Sequence, residues 1–584
     1  MRIAQTGLWS VLLVLLLTLG DASGRADTAE KPLPRSAEKA APKCAEKPAA
    51  NCAAKPAAAV RELLLEKRYL NFPVKNKATR VSVRVSADRK VIDEFLIELA
   101  PAAPDFWVFL DVGAYQGQRA RIEASAMPAG HPGLDAIAPS DQIRGAENLY
   151  HERFRPQFHF STRRGWSNDP IGLVYYDGEY HLYYQHNPYG CQWGNVHWGH
   201  AVSADLVHWN ELPIAIYPHG RGDWALSGSA VVDEQNTSGF QTGGEKVIVA
   251  AYTSSGRGEC IAYSTDRGRT FTDYPGNPVI KHRGRHPNPI WYAPGKHWVM
   301  VVYDEYQGTR WIAFYSSPDL KTWTFQSRTK GYFECPDIFE LPVDGRSDNK
   351  KWVLYAANGE YSVGRFDGKK FTPECPEKSR FNYGDSFYAP QTFSDLPAQD
   401  GRRIQMSWGR IGHPNMPFSQ MMNFPVELTL RTCPGGIHLF AEPVKEIERL
   451  HDGKHAWQDV TIEEGRNLLG DLSGELFHIR GEFEIGEAEE FGFTVRGTPV
   501  AYNVPAQQLV GRCSAPMKAP RGRVRLELLV DRTSIEVFAG GGRIYMPIGT
   551  LLPEDDRTIG VFTRGGPTRL KSLEVFPLRS AWNE

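Results

Sequence analysis

Hydrophobic and polar residues alternate along much of this chain, and that alternation predicts β-strands rather than helices. Residues 81–85 (Val-Ser-Val-Arg-Val) alternate with a period of two, and residues 106–110 form an unbroken apolar run as long as a buried strand. Short turns separate these segments, a spacing that is typical of a small β-sandwich. We therefore predict an N-terminal β-sandwich over residues 59–148.

The same alternation returns near the end of the chain. Residues 523–530 read as one strand, and residues 534–538 (Ser-Ile-Glu-Val-Phe) read as the strand that returns after a short turn. Such segments, without a longer repeat, predict a second β-sandwich over residues 446–584. No helix of convincing period and length is predicted after the apolar segment at the start of the chain.

The region from residue 149 to residue 445 contains an internal repeat. Asp205 follows a pair of predicted strands, and the aspartate returns about every 50 to 60 residues, as Asp266, Asp319 and Asp367, each before an aromatic residue. We predict that these aspartates cap turns and take no part in catalysis. Repeats of this length with several strands each are typical of β-propellers, and the length of the region predicts five blades.

The predicted fold class is all-β: a five-bladed β-propeller followed by a β-sandwich, with an additional N-terminal β-sandwich. A length of 584 residues agrees with several domains. The net charge of −1 gives no electrostatic sign of a nucleic-acid partner. The 15 Trp, 24 Tyr and 28 Phe suit sugar-binding surfaces, but they suit propeller and sandwich cores equally well. We expect a monomer or a weak oligomer.

The start of the chain has the pattern of a secretory signal. Arg2 precedes an apolar run that extends from Leu8 to Leu19, and small residues follow. The run is too short to cross a bilayer, so we predict a signal peptide over residues 1–26 and no membrane span. Residues 27–58 consist mainly of Ala, Lys, Pro and Glu and are predicted to be a disordered linker. We expect a secreted or periplasmic protein.

Three polar motifs each open a different repeat and carry the candidate chemistry. Residues 166–172 (Trp-Ser-Asn-Asp-Pro-Ile-Gly) place Asp169 between an indole and a Pro-x-Gly turn, and residues 331–337 contain Glu334. Between them lies the motif Arg285-His286-Pro. Because the first strands of propeller blades meet at the axis, we expect these side chains to lie together. A fixed Asp and a distant Glu are the two carboxyl groups that a glycoside hydrolase needs.

At these motifs the chain resembles the β-fructofuranosidases of glycoside hydrolase family 32, which include levanases, inulinases and invertases. The resemblance extends over about residues 155–580. It is carried by residues 166–172, which are similar to the family's W-M-N-D-P-N-G, by residues 184–188 with the Trp-Gly pair at 193–194, by residues 226–230 (Leu-Ser-Gly-Ser-Ala), and by residues 333–337 (Phe-Glu-Cys-Pro-Asp).

The resemblance implies retaining hydrolysis of fructans such as levan and inulin, or of sucrose, without a metal or other cofactor. Asp169 would be the catalytic nucleophile and Glu334 the general acid/base. We expect Asn168 and nearby backbone donors to hold the pKa of Asp169 down, and burial beside Asp169 to keep Glu334 protonated. The residues expected to bind substrate are Trp166, Asn168, Gln185, Trp193, Leu226, Ser227, Arg285, His286 and Cys335.

His286 is the main departure from the family pattern, because it replaces the Asp of the family's R-D-P motif. A carboxylate there would support a cationic transition state, whereas a neutral imidazole offers one acceptor nitrogen. Losing one such electrostatic contact typically costs about 10²–10³ in rate. Asp304 and Glu305, at the end of the next predicted strand, are candidates to supply the missing carboxylate. Ser167 and Ile171 also depart from the pattern beside the nucleophile.

Two alternatives therefore stay open beside a fructan hydrolase. The first is a catalytically impaired fructan-binding protein of the same fold, which His286 favours. The second is a propeller glycosidase that acts on a different furanoside. Fructose release from levan, inulin and sucrose, with a Glu334→Gln variant as the blank, separates the hydrolase from the binding protein, and saccharide profiling separates it from the second alternative.

Overall fold

Strands make up nearly all the regular structure of the residues that the structure describes. The computed structural model describes residues 58–125, 127 and 130–582, so the predicted signal peptide and the predicted linker up to residue 57 lie outside the described residues. Within the described residues there are 41 strands, one four-residue α-helix and four short 3-10 helices. The predicted all-β class is confirmed.

The first seven strands form two antiparallel sheets around one core. One sheet has the order β1-β6-β3-β4 and the other has the order β5-β2-β7. Phe72, Val83 and Ile122 lie between the sheets and have no exposed surface. The strands are β1 (Ala59–Leu64), β2 (Tyr69–Val74), β3 (Val81–Ala87), β4 (Lys90–Ile97), β5 (Phe106–Asp111), β6 (Arg119–Ala124) and β7 (Ala138–Ser140), with a 3-10 helix at Gly113–Tyr115 and the α-helix α1 at Pro132–Asp135.

Five four-stranded antiparallel units follow between residues 165 and 443. The first three units are β8 (Gly165–Tyr176), β9 (Glu179–Asn187), β10 (His197–Ser203) and β11 (Asn210–Ile216); β12 (Ala225–Asp233), β13 (Val247–Ser254), β14 (Gly258–Ser264) and β15 (Thr272–Asp273); and β16 (Arg285–Tyr292), β17 (His297–Tyr306), β18 (Thr309–Ser317) and β19 (Thr324–Lys330), with a 3-10 helix at Ala293–Gly295.

The fourth and fifth units are joined by a parallel contact between β20 and β29. The fourth comprises β20 (Asp337–Val343), β21 (Arg346–Tyr355), β22 (Glu360–Phe366) and β23 (Phe371–Pro373), and the fifth comprises β25 (Tyr388–Thr392), β26 (Ile404–Gly409), β29 (Val426–Cys433) and β30 (Gly436–Pro443). The short strands β24 (Ser379–Arg380) and β28 (Met421–Met422) pair with β22 and β26, and β27 (Phe418–Ser419) pairs with β8 of the first unit.

The fifth unit contacts the first unit. Strand β27 pairs in parallel with β8, and β8 also contacts β25 and β12. The N–H of Leu173 in β8 donates to Oε1 of Gln391 in β25 at 3.0 Å. These contacts bring the first strands of neighbouring units together, as in a propeller. That each unit is one blade of five stays a prediction.

The repeated aspartates cap turns, as the sequence predicts. Asp205 Oδ1 accepts the backbone N–H groups of Val207 at 3.1 Å and His208 at 2.9 Å, directly after the third strand of the first unit. Asp319 and Asp367 accept backbone N–H groups in the same way after the third strands of their units. The repeated aspartates therefore have a structural role.

The C-terminal region packs two antiparallel sheets over one apolar core. The sheet orders are β31-β41-β32-β37-β38-β39 and β36-β35-β34-β33-β40. The strands are β31 (His455–Ile462), β32 (Phe477–Glu484), β33 (Glu490–Val495), β34 (Thr498–Asn503), β35 (Gln508–Gly511), β36 (Ala515–Pro516), β37 (Arg523–Asp531), β38 (Ser534–Ala539), β39 (Ile544–Gly549), β40 (Ile559–Arg564) and β41 (Thr568–Pro577), with 3-10 helices at Lys445–Leu450 and Pro520–Gly522.

A buried polar cluster joins this C-terminal sandwich to the segment that precedes β8. His159 Nδ1 lies 2.8 Å from Asp531 Oδ2, and its Nε2 lies 2.8 Å from Glu536 Oε1. All three side chains are without solvent exposure. Burial alone would lower the pKa of His159, but hydrogen bonds to two carboxylates outweigh burial and raise the pKa to about 9. The imidazolium therefore bridges two carboxylates on neighbouring strands.

Candidate active site

Most candidate site residues lie at or just before the starts of the first strands of the units, whereas Gln185 lies near the end of β9 and Trp193 lies between β9 and β10. Four of these first strands have a register shift near their starts, and such a β-bulge changes the direction in which the neighbouring side chains point. The register shifts lie between Ser167 and Pro170 in β8, between Ala225 and Gly228 in β12, between Arg285 and Asn288 in β16, and between Tyr388 and Gln391 in β25. In the fourth unit, Glu334 and Cys335 lie just before β20.

Three of these residues have a left-handed backbone conformation. The φ angles are 63° at His286, 54° at Glu334 and 41° at Cys335. A residue with a side chain in this region typically costs about 1–3 kcal/mol and persists only where its surroundings hold it. The conformations set these three residues apart from the regular strands that follow them.

Asp169 lies at the centre of a set of hydrogen-bond donors. Ser227 Oγ donates to Asp169 Oδ2 at 2.6 Å, Gln185 Nε2 donates to the same oxygen at 3.3 Å, and Asn168 Nδ2 donates to Oδ1 at 3.0 Å. Gln185 also donates to Ser227 Oγ. Only 8% of Asp169 is exposed. Its carboxylate is therefore fixed in position by three neighbours from β8, β9 and β12.

The pKa of Asp169 is shifted in the direction opposite to our expectation. Burial raises it above its ordinary value of 3.8, the donors Ser227 and Asn168 lower it, and the nearby charge of Glu334 raises it again. The prediction that donors would hold this pKa down was wrong, because the loss of water around the carboxylate outweighs the hydrogen bonds that it gains.

Glu334 is oriented by a cation and a phenol. Arg285 Nε donates to Glu334 Oε1 at 2.8 Å, and Nη2 of the same guanidinium donates to that oxygen as well. The hydroxyl of Tyr388 donates to the other oxygen, Oε2. Burial and the neighbouring Glu334 raise the pKa of Tyr388, so its phenol keeps the proton that it donates. Both carboxyl oxygens of Glu334 are thus held, while a fifth of its side chain remains exposed.

His286 is neutral and buried. Only 2% of the residue is exposed, and burial together with the charge of Arg285 lowers its pKa to about 3. Its Nε2 lies 3.3 Å from Nε2 of Gln391, whose amide is oriented by the N–H of Leu173. Because that amide nitrogen can only donate, His286 Nε2 accepts and the ring proton lies on Nδ1. Among the described residues Nδ1 has no hydrogen-bond partner.

The carboxylates that were candidates to compensate for His286 have other partners. Asp304 lies 3.4 Å from His282 Nδ1 and accepts from Arg328 Nε at 2.7 Å, while Glu305 accepts from the hydroxyl of Tyr303 at 2.8 Å. Neither Asp304 nor Glu305 therefore supplies a carboxylate at the position that His286 occupies.

A buried carboxylate that the sequence analysis did not consider reaches His286 through one hydroxyl. The N–H of His286 donates to Thr253 Oγ1 at 2.8 Å, and that hydroxyl donates to Glu259 Oε2 at 2.7 Å. Glu259 has no exposed surface and lies 2.8 Å from His282 Nε2 through its other oxygen. This chain supports the backbone of His286 rather than its ring.

The remaining predicted binding residues are brought to the site to different degrees. Trp166 Nε1 donates to Asn168 Oδ1 at 2.8 Å, and Trp193 Nε1 donates to Gln185 Oε1 at 3.1 Å. Each indole therefore contacts a residue that itself donates to Asp169. The contact that fixes Leu226 is made by its backbone oxygen, which accepts from Trp198 Nε1 at 2.9 Å. Leu226 therefore takes part chiefly as the residue before Ser227.

Three buried groups are close enough together to be considered as metal ligands. The donor atoms of Asp169, His286 and Cys335 all lie within 4.8 Å of one another, and Cys335 Sγ is 3.9 Å from Asp169 Oδ2. Burial and the charge of Asp169 raise the pKa of the Cys335 thiol well above its ordinary value. A metal would have to displace that thiol proton, and the imidazole nitrogen that accepts is already used by Gln391. No step of the proposed chemistry uses a metal.

Tyr388 and Gln391 are the main site residues that the sequence analysis missed. Both belong to β25 (Tyr388–Thr392). Tyr388 is the first residue of β25, as Arg285 is the first residue of β16. Their common position in the repeat was a signal that could have assigned Tyr388 to the site.

The β-units form a ring, and their first strands bring together an Asp beside a set of donors and a Glu held by an Arg. This arrangement defines a class of protein, the propeller glycoside hydrolases. Comparison with known families identifies the particular one. Residues 159–443 match the N-terminal domain of the glycosyl hydrolases family 32, and residues 446–577 match the C-terminal domain of that family. The chain belongs to glycosyl hydrolase family 32.

Individual relatives agree with this assignment. The chain is 40% identical to a levanase of Bacillus subtilis (strain 168) over 491 residues, which cover 74% of this chain and 72% of that protein. It is 31% identical to an extracellular exo-inulinase of Aspergillus ficuum over 74% of this chain and 96% of that protein.

Solved structures show the same fold. The crystal structure of an exo-inulinase from Aspergillus awamori matches with a TM-score of 0.68 and 28% identity, over 74% of this chain and all of that one. A β-fructofuranosidase from Schwanniomyces occidentalis, solved with fructosyl-erythritol, matches with a TM-score of 0.68 and 26% identity, over 75% of this chain and all of that one.

Proposed function

We propose that this protein is a retaining β-fructosidase that releases fructose from levan, inulin or sucrose, with Asp169 as nucleophile and Glu334 as general acid/base. The observation that carries the proposal is the pair of carboxyl groups held in different ways, Asp169 by neutral donors and Glu334 by Arg285 and Tyr388. Relatives named levanase and exo-inulinase support fructans as the substrate class.

The proposed reaction has two steps. Asp169 attacks the anomeric carbon while Glu334 protonates the oxygen of the leaving group, and a covalent fructosyl-enzyme forms. Glu334 then takes a proton from water, which hydrolyses that intermediate and frees Asp169. Ser227 and Gln185 both bind Oδ2 of Asp169, whereas Asn168 alone binds Oδ1, so Oδ1 is the less encumbered oxygen for attack.

His286 changes what the site offers to the sugar. The family's R-D-P motif would place an acceptor carboxylate at this position, but the neutral imidazole has a buried Nδ1–H, a donor without a partner among the described residues. The lost negative charge no longer supports an oxocarbenium-like centre. We infer a slower hydrolase, and the same observation is what favours the second candidate, a fructan-binding protein with little turnover.

The domain limits and the location of the protein are part of the proposal. We propose a signal peptide over residues 1–26, a linker over 27–58, an N-terminal sandwich over 59–148, a catalytic propeller over 149–445 and a C-terminal sandwich over 446–584. Secretion or a periplasmic location is supported by the extracellular exo-inulinase among the relatives. In the described part of the chain, no helix has the length and apolar character needed to span a membrane. A monomer or weak oligomer stays a prediction.

The test is fructose release from levan, inulin and sucrose by the purified protein. A Glu334→Gln variant should lose release, and a Glu340→Gln variant, which makes the same change at an exposed residue of β20, should retain it. Levan binding without release by the unmodified protein would establish the binding protein instead. Release that persists in Glu334→Gln would contradict the role of Glu334.

A further inference from the structure

The N-terminal sandwich and the first propeller unit border a cleft beside the candidate active site. Arg80, Leu96 and Glu98 form its wall on the sandwich, and the segment 187–195 together with Trp224 forms the opposite wall. The sandwich lies before residue 159, where the match to the family begins. This wall is therefore a feature of the present chain that the family assignment does not explain.

The sandwich is docked firmly against the opposite wall. Phe95 stacks on Tyr189 with 3.5 Å between ring centroids and 12° between the ring planes. The N–H of Leu96 donates to Asn195 Oδ1 at 2.9 Å, and Asn195 Nδ2 donates back to the oxygen of Leu96 at 2.8 Å. The buried carboxylate of Asp93 accepts from the hydroxyl of Tyr189. Stacked rings and paired buried polar groups give the cleft fixed walls.

Trp193 connects the cleft to the nucleophile. Its Nε1 donates to Gln185 Oε1 at 3.1 Å, and Gln185 Nε2 donates to Asp169 Oδ2 at 3.3 Å. Trp193 is nevertheless 49% exposed, and the ring of Trp224 meets it edge-on at 5.1 Å. One edge of the indole thus belongs to the catalytic site while much of its surface is open to a ligand in the cleft.

The polar groups of the cleft suit a neutral polyol. Arg80 Nε lies 3.4 Å from Glu98 Oε1, and Arg80 Nη2 donates to Gln192 Oε1. The Arg and the Glu cancel in charge, yet together they offer N–H donors and carboxylate acceptors. Leu96, 41% exposed, and Trp193 add apolar surface. Apolar surface beside a charge-balanced set of donors and acceptors matches sugar rings, which combine hydroxyl groups with C–H faces.

We propose that this cleft binds the leaving-group sugars of a β-fructan chain while the terminal fructosyl unit lies at Asp169. The inference rests on the proposed function and adds a second binding region to it. Sucrose has a leaving group of one sugar, whereas a fructan has a chain of them. The N-terminal sandwich therefore raises the preference of the enzyme for fructan over sucrose.

The test compares kcat/KM on levan, inulin and sucrose for the unmodified protein and for Arg80→Ala. We expect the ratio of kcat/KM on levan to that on sucrose to fall about tenfold in Arg80→Ala, the typical effect of losing a hydrogen bond from a charged group. The matched control is Arg119→Ala, which removes an exposed arginine from β6 of the same sandwich and should leave the ratio unchanged. An unchanged ratio on both fructans in Arg80→Ala would overturn the inference.

Failure of the proposed function gives a different result from failure of this inference. An unmodified protein that releases no fructose from any of the three substrates contradicts the function and leaves the cleft to be tested by binding. Levan is then included in a native gel, and retardation of Glu334→Gln is compared with retardation of the double variant Glu334→Gln, Arg80→Ala. Weaker retardation of the double variant supports the cleft, and equal retardation refutes it. Arg80 is 45% exposed in its side chain, so its removal leaves the core intact.

Discussion

Replacing His159 with Gln should strongly destabilise the junction between the propeller and the C-terminal sandwich. His159 bridges Asp531 and Glu536, and all three side chains are fully buried. Removing one partner from a buried ionic cluster typically costs about 3–5 kcal/mol, because the remaining charges stay out of water without compensation. A pKa raised from 6.5 to about 9 gives a similar figure of roughly 3 kcal/mol.

The sign of the pH dependence follows from the direction of the shift. A histidine whose pKa is raised on folding contributes its full stabilisation below its unfolded pKa of about 6.5. That contribution is lost as the pH rises through about 9, where the folded imidazolium gives up its proton. The difference in unfolding free energy between the unmodified protein and His159→Gln should therefore be large at pH 6.5 and much smaller at pH 9.5.

Urea unfolding at both pH values measures this difference. The matched control is His455→Gln, the same substitution at an exposed histidine of β31, which should change the free energy of unfolding by less than about 0.5 kcal/mol. A loss below about 1 kcal/mol for His159→Gln at pH 6.5 would refute the reasoning. So would a loss of the same size at pH 6.5 and pH 9.5, since the ionic part would then be absent.

Three further predictions concern the reaction. Tyr388→Phe removes the hydroxyl that orients Glu334, so kcat on sucrose should fall roughly 10-fold to 100-fold, and an unchanged kcat would exclude an orienting role. His286→Asp restores a negative charge near the sugar and should raise kcat/KM on levan by up to about 10²–10³, whereas a decrease would contradict the electrostatic argument. Burial raises the pKa of Asp169 above 3.8, and only the carboxylate form can attack. The value of kcat/KM should therefore begin to decline on the acid side at a pH above 3.8. A pH profile that stays level down to pH 3.8 would show that Asp169 is not the ionising group.

The features that the sequence predicted well are the ones that depend on local pattern. Period-two alternation located β3, β37 and β38, and the repeated aspartates located the turns after third strands, because each cap is made to residues two to four positions away. The motif around Asp169 could be recognised for the same reason. Its donor Asn168 is the adjacent residue in the chain.

The features that could not be predicted depend on contacts between distant parts of the chain. The pKa of Asp169 rises because neighbours from several units exclude water, a sum that no single motif contains. The pairing of Glu334 with Arg285 and Tyr388 joins three units. The cleft beside Trp193 exists because a separate sandwich docks there, and the alternation that predicts a sandwich does not indicate where it docks.

The left-handed backbone at position 286 limits which amino acids evolution can place there. With φ at 63°, β-branched residues are strongly disfavoured, whereas Asp, Asn and His are among the side chains that enter this region most readily. Exchange between Asp and His therefore leaves the strand start undisturbed while it replaces an acceptor by a donor. Chemistry at this position can therefore change in a single substitution without added backbone strain.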